Sequence, residues 1–222
     1  MDAVIKVGGS LAEDPERLKA LCRKLSELAK KYVIIVVPGG GRFADVVRDF
    51  DQRFALSSGV SHRMAILGMD QFGLLLSDIM PNSHLFHRLD NAKEFLEAKT
   101  VPIFLPSHLM FQEDPLENSW DVTSDSIAAY IAGRVHARKV ILVTDVDGVF
   151  TKDPKKNGDA TLIERIPAKQ LAMMNHRTSV DNFLPKLLLE TQIECYVVNG
   201  KYPARIEAIL AGQRTTCTVI YK

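Results

Sequence analysis

The 222-residue chain is long enough for one large α/β domain or two small ones, with a sizeable buried core. Apolar residues make up 46% and charged residues 25%, an ordinary globular balance, and a formal net charge of +1 leaves no global basic field for nucleic acid. Cys22, Cys195 and Cys217 sit at neither metal-ligand nor redox spacing. Three reduced thiols in a cytoplasmic protein are therefore expected, with no signal peptide and no apolar run long enough to span a membrane.

Taken in chain order, short apolar runs alternate with amphipathic segments. Residues 3–7 read as a buried strand. Residues 15–31 read as a helix, because Leu18, Leu21, Cys22, Leu25 and Leu28 recur at helical spacing among charges. Residues 32–37 are a continuous β-branched run, as a strand buried on both faces would be. A helix begins near Arg42 after three glycines, and a second spans 61–80 and stops at Pro81-Asn82. Strands at 101–105 and 139–144 flank a helix at 124–133. A strand at 194–198, a helix at 203–211 and a strand at 216–221 close the chain. This alternation predicts an α/β fold whose mostly parallel sheet is covered on both sides. Residues 112–119 and 151–159, rich in Asp, Asn, Pro, Gly and Lys, read as functional loops. Such sheets hold ligands at the carboxyl ends of their strands, where residues 8–11, 38–42 and 144–154 would converge.

Four motifs carry chemistry. In Lys6-Val7-Gly8-Gly9-Ser10, a lysine at the end of a buried strand needs an anionic partner, and Gly8, Gly9 and Ser10 offer bare amides and a hydroxyl. That suits nucleotide phosphates; a tight turn with Lys6 reaching solvent is the plainer reading. It is not a Walker A loop. In Gly39-Gly40-Gly41, a helix start after a strand can face an anion, or the glycines can simply pack a turn. In Thr123-Ser124-Asp125, Asp125 is a first-turn carboxylate, explained either by helix capping or by orienting ammonium groups around a phosphate. Residues 144–154 contain Thr144, Asp145, Asp147, Gly148, Val149, Phe150, Lys152, Asp153 and Pro154; the calcium-loop spacing is absent, and a polar surface hairpin is the plain alternative.

In this order the motifs resemble the amino acid kinase family along nearly the whole chain. The resemblance implies a single domain of a three-layer αβα fold, with acceptor-binding in roughly residues 1–135 and nucleotide-binding in roughly 136–222. It implies an ATP-dependent kinase with Lys6 and Asp125 catalytic and Gly8, Gly9 and Ser10 on the ATP phosphates. Residues Thr144 to Pro154 named above would hold the nucleotide, and Mg²⁺ would ride on its phosphates rather than on a protein metal site. Gly39, Gly40 and Gly41 would lie near the acceptor. Further stretches, Val60-Ser61-His62-Arg63, Ser119-Trp120, Thr178-Ser179-Val180-Asp181 and Tyr196-Val197-Val198-Asn199-Gly200, are similar to the branch acting on an aminomethylfuranyl-methyl phosphate in methanofuran biosynthesis. That implies a phosphorylated small-molecule acceptor contacted by His62, Arg63, Trp120 and Thr123, although a His-Arg pair on a helix is often only a solvated face, and Trp120 could equally be packing. Lys186 stands near a second catalytic lysine of relatives, but the glycines before it are gone, and an exposed helix lysine is the favoured reading. Homo-oligomers are common in the family and are expected here. The alternatives are a kinase for isopentenyl phosphate, UMP or an amino-acid carboxylate, a non-catalytic nucleotide or oxyanion binder, and an NAD-dependent oxidoreductase built on Gly39, Gly41 and Ala44.

Overall fold

The computed structural model describes residues 1–91, 100–174, 178–191 and 193–222. All five residues of β1 (Ala3–Val7) are buried, as a central strand covered on both faces requires. It pairs in parallel with β2 (Ile34–Pro38) on one side and β5 (Lys139–Thr144) on the other. Beyond β2 lie β4 (Val101–Phe104) and then β3 (Ser83–Phe86). Beyond β5 lie β7 (Glu194–Asn199), β8 (Thr218–Tyr221) and β6 (Arg165–Pro167). The eight strands form one sheet in the order β3-β4-β2-β1-β5-β7-β8-β6. Only the β7–β8 pairing is antiparallel, so the mostly parallel sheet reverses direction near one edge.

Helices cover both faces. α1 (Pro15–Leu28) starts where Asp14 accepts a hydrogen bond from the Arg17 amide at 3.2 Å, with proline in the first turn, and it buries Leu18, Leu21, Cys22, Leu25 and Leu28. α2 (Gly41–Phe54) and α3 (Ser58–Ile79) form a helical hairpin. α4 (Ser107–Glu113), α5 (Ser124–Arg134), α6 (Ala168–Leu171), α7 (Leu184–Glu190) and α8 (Ala204–Leu210) complete the set among the described residues. The period of two along β1 assigns its side chains to layers. Ala3, Ile5 and Val7 pack with α1 and α8, through Leu21, Leu25, Ile206 and Ile209. Val4 packs with α5 and α7, through Ile127, Ile131, Leu184 and Leu188. The fold is thus the three-layer αβα sandwich with a mostly parallel sheet.

Several elements depart from the sequence expectation. α1 ends at Leu28 rather than at residue 31, and β2 begins at Ile34 rather than 32. α3 begins three residues early, at Ser58, and α4 takes in Gln112 and Glu113 from the expected loop. β3 and β6 are additions: they are four and three residues long and sit at the two sheet edges. All three cysteines are free and buried. Among the described residues no helix is long and apolar enough to cross a membrane.

The chain lays β2 to β4 on one side of β1 and then returns to add β5 on the other. That reversal opens a crevice at the carboxyl ends of β1, β2 and β5.

Candidate active site

Lys6 shares its strand parity with Val4, so it faces the layer that contains α5. There its ammonium stands 2.7 Å from Asp125 Oδ1, and the two side chains are only 11% and 8% exposed. Asp125 occupies the first turn of α5, where the Thr123 hydroxyl accepts a hydrogen bond from the Asp125 amide at 3.5 Å. A buried cation of this kind persists only with its counter-charge, and removing either partner would strand the other at a cost of about 3–5 kcal/mol. Solvent-reaching Lys6 is thereby replaced by a buried ion pair.

A second carboxylate, not singled out from the sequence as a site residue, supports this pair. Asp181 accepts hydrogen bonds from the Thr123 amide (2.8 Å) and hydroxyl (2.9 Å), from the Ser126 amide (3.0 Å) and hydroxyl (2.6 Å), and from the Leu184 amide (2.8 Å). Its own amide donates to Asp125 Oδ2 at 3.2 Å. Burial, and then the neighbouring Asp125 charge, push the Asp181 carboxyl above the ordinary aspartate value, against the pull of the donors from Ser126 and Thr123. The sequence held a cue for it: an aspartate three residues before Leu184-Pro185 is a helix-start signal.

Lys6 and Asp125 line a cleft of about 750 Å³ with Gly8, Gly9 and Ser10. The glycines of the first two loops meet backbone to backbone. A Cβ on Gly9 would lie 2.2 Å from the Gly41 Cα, and Gly41 has a φ of 51°, which favours glycine. The two loops are therefore pressed together by packing while both border the cleft. Gly40 and Gly41 line it; Gly39 is not among the lining residues, and a Cβ there would meet the Gly9 amide nitrogen at 2.8 Å.

His62, Trp120 and Thr123 also line this cleft. His62 is buried, and that burial holds its imidazole below the ordinary value, against a smaller upward pull from Asp114 and a hydrogen bond to the Ser119 backbone. A neutral imidazole results at pH 7. Arg63 does not join it. It is exposed, and its guanidinium sits 5.7 Å from the centre of the Phe111 ring. The reason is helical geometry, since adjacent residues of a helix do not share a face. The guanidinium in the cleft wall is instead that of Arg48 on α2, which lies 4.6 Å from the centre of the Trp120 ring and donates to Asp45 at 2.8 Å. The Trp120 indole N–H donates to Asp51 at 2.7 Å. Spacing offered a signal here: Gly40, Ala44 and Arg48 follow one another at four-residue steps along one helix face.

A second cleft of about 790 Å³ adjoins the first, sharing Thr144, Thr178 and Ser179. Asp145, Gly148, Phe150, Lys152, Asp153 and Pro154 line it, together with Lys155 and Lys156, which the sequence reading had passed over. Burial pushes the Asp145 carboxyl up, but its pairing with Lys155, helped by hydrogen bonds from its own amide and the Thr144 hydroxyl, outweighs that and holds it below the ordinary value. Lys152 is bonded to Asp159 at 2.6 Å. Two residues of this loop lie elsewhere. Val149 is fully buried in the core, and Asp147 is bonded to Asn199 at 3.0 Å and Arg205 at 2.6 Å rather than lining either cleft. Lys186 is an exposed helix residue lying over the Phe183 ring. Among the described residues no group of three or more His, Cys, Asp or Glu side chains gathers as metal ligands.

Residues 1–199 match the amino acid kinase family. The chain is 38% identical over 218 residues to the (5-(aminomethyl)furan-3-yl)methyl phosphate kinase of Methanocaldococcus jannaschii, covering 98% of this chain and 96% of that one. It is 29% identical to the uridylate kinase of Thermofilum pendens, covering 98% and 97%. Its fold is similar to that of the uridylate kinase from Archaeoglobus fulgidus, with a TM-score of 0.77 at 23% identity over 99% of this chain and all of that one.

Proposed function

The chain belongs to the amino acid kinase family, and from that premise we propose that it is an ATP-dependent phosphotransferase that converts a small phosphate monoester to a diphosphate. The favoured acceptor is the aminomethylfuranyl-methyl phosphate of methanofuran biosynthesis, because identity to a kinase of that name reaches 38% over 98% of the chain. One observation carries the reading: the buried Lys6–Asp125 pair sits in the wall of a cleft that adjoins a second, lysine-bearing one. Two adjoining clefts with a fixed ammonium suit a donor and an acceptor meeting end to end.

In this reading the acceptor part is roughly residues 1–135 and the nucleotide part roughly 136–222 of one domain. ATP lies in the second cleft, against Thr144, Asp145, Gly148, Phe150, Lys152, Asp153 and Pro154, with its phosphates reaching Gly8, Gly9 and Ser10. The acceptor lies in the first, near Gly40, Gly41, His62, Trp120 and Thr123. A phosphate oxygen of the acceptor attacks the γ-phosphorus, a new P–O bond forms, and the bond to the β–γ bridging oxygen breaks with its electron pair leaving on ADP. Lys6 offsets the charge that grows on the transferring group, and Asp125 fixes the ammonium in place. Neutral His62 spends its one N–H on the Ser119 backbone, so its other nitrogen can accept a hydrogen bond from a protonated oxygen of the acceptor phosphate.

Mg²⁺ fits as a companion of the nucleotide. The carboxylates of the first cleft are engaged, Asp125 by Lys6 and Asp181 by helix-start donors. A donor set of that kind suits a cation held by phosphate oxygens and water. Bound so, it would neutralise charge on the departing ADP. Buried free thiols accord with a reducing, cytoplasmic setting, and the exposed apolar face of α2 and α3 accords with a homo-oligomer.

The second reading is a UMP kinase, favoured by relatives of that name at 23% to 29% identity. The experiment is ADP release measured with the furan monophosphate, UMP, isopentenyl phosphate, an amino-acid carboxylate and the dephosphorylated furan alcohol. The proposal expects turnover of the furan monophosphate and none of the alcohol. Preference for UMP would select the second reading, and absence of turnover with every acceptor would sink both. In the same assay Lys6→Arg, which keeps a cation for Asp125 but not a compact ammonium, should lower kcat by about a hundredfold. Near-normal turnover in that variant would remove Lys6 from the mechanism.

A further inference from the structure

Residues 178–182 lie between the two clefts, and their hydrogen bonds run to both. The Ser179 hydroxyl donates to the Gly148 carbonyl at 2.9 Å, on the loop of the second cleft. The Asn182 side-chain amide donates to Asp121 at 2.8 Å, and Asp181 binds the α5 start and Asp125 as described. Thr178 and Ser179 line both clefts. No other run of the described chain joins the loop after β5 to the first turn of α5 through so many side-chain bonds.

We propose that this segment sets the register of the two clefts, and that Asp181 is the positioning residue that holds Asp125 against Lys6. The inference rests on the kinase reading for its chemistry. Two geometric facts carry it. The Asp181 carboxylate is saturated by five donors, three of them amides at the starts of α5 and α7, so it locks both helix ends to one point. Its amide also bonds the Asp125 oxygen that Lys6 does not take, which fixes the rotation of that carboxylate. Without both anchors the Asp125 carboxylate can turn and the Lys6 ammonium can follow it. A displacement of about 1 Å at such a group is worth on the order of a hundredfold in rate. Asp181 also borders the first cleft, but both its carboxylate oxygens are taken by these donors, so it would act through Asp125 rather than on a phosphate.

The test separates positioning from simple structural support. Asp181→Asn, Asp125→Asn and the double variant are compared by kcat, by KM for ATP and for the acceptor, and by melting temperature. The expected result is at least a tenfold loss of kcat in Asp181→Asn, with both KM values within about twofold. The double variant should be no slower than Asp125→Asn alone, because a residue acting through another adds nothing once that other is gone. Additive losses, or an unchanged kcat in a folded Asp181→Asn, would overturn the inference. Should that variant fail to fold, Ser126→Ala deletes one donor and leaves four. It should lower kcat several-fold and show the same non-additivity, and a normal kcat there would count against the inference equally. A second readout does not need turnover at all. The Lys6 ammonium, held in a buried ion pair, should give a slowly exchanging proton signal by NMR, assigned by its loss in Lys6→Arg. Asp181→Asn, or Ser126→Ala in its place, should broaden that signal, and an unaltered signal would overturn the inference. A wild type that turns over no acceptor but shows this behaviour would sink the kinase reading while leaving the positioning role intact.

Discussion

His62 is the residue whose environment predicts a pH dependence. Burial lowers its folded-state value from the ordinary 6.5. As pH falls below about 6.5, the unfolded chain takes up a proton that the folded chain refuses, so folding stability drops. The contribution is fully present above that pH and is lost as pH falls toward the depressed folded value. Thermal melts between pH 7.5 and pH 5.5 should therefore show a larger loss for the wild type than for His62→Gln, and equal losses would remove burial as the controlling effect. At this scale the sequence reading named the right helix but not its first residue, since His62 lines the cleft from the second turn of α3. It carried Arg63 along with its neighbour, although a step of one residue turns the side chain by roughly 100°. Lys6 and Asp125 were visible as an unusual buried lysine and a first-turn aspartate. Their meeting at 2.7 Å depends on which layer each faces, and that only the assembled sheet decides. Asp181 and Arg48 have ordinary local explanations in the chain, a helix cap and a solvated helix face. Their proximity to the cleft arises from contacts between segments distant in sequence.

At the scale of elements, the contact between the first two loops makes its own prediction. A methyl group on Gly9 would stand 2.2 Å from the Gly41 Cα and 2.3 Å from its amide nitrogen. Backbone cannot rotate aside as a side chain can, so Gly9→Ala should destabilise by about 3 kcal/mol or more, beyond the usual range for overpacking. Gly59, in the first turn of α3, is the control, since its added Cβ meets nothing within 4 Å. Gly59→Ala should be neutral or stabilising by about 0.5–1 kcal/mol. Urea unfolding of the two variants checks both, and equal effects would show that the loops move apart freely. The central strands were legible because β2 is an unbroken apolar run and β1 and β5 are nearly so, Lys6 being the one polar residue within β1 and Lys139 and Thr144 standing at the ends of β5. β3 and β6 were not, since a four-residue Ser-His-Leu-Phe and a three-residue Arg-Ile-Pro acquire strand geometry only from the neighbours they pair with. The reversed direction of β8 was hidden for the same reason: strand direction is set by the path of the connection, and the residues of β8 are compatible with either sense.

At the scale of the molecule, the sandwich leaves one face unlike the rest. Phe43, Val46, Phe50 and Phe54 are exposed along α2, and Val60, Leu67, Leu74 and Leu75 along α3. The two helices pack as a hairpin, with Phe43 against Gly68 and the Phe50 and Phe54 rings 6.1 Å apart, so the eight side chains lie on adjoining helices. Val60, Leu67 and Leu74 recur every seven residues, a spacing that keeps one seam of a helix facing a partner. Large exposed apolar faces mark interaction sites, and each partner in a stable interface contributes about 800 Å². The homo-oligomer proposed above would cover this face with a second copy of this chain, a two-fold dimer being the simplest closed arrangement. Light scattering should therefore give twice the 24.7 kDa of one chain at micromolar concentration, and Leu74→Glu with Phe54→Glu should return it to one. A wild type that stays at 24.7 kDa would sink the proposal. A dimer formed through this face would also bear on the site. α2 brings Gly41, Ala44 and Arg48 to the first cleft, and α3 brings His62, Ile66 and Met69, whereas neither helix lines the second. Loss of the partner should thus raise KM for the acceptor before it changes KM for ATP, and a monomeric variant with both values unaltered would confine the interface to assembly alone.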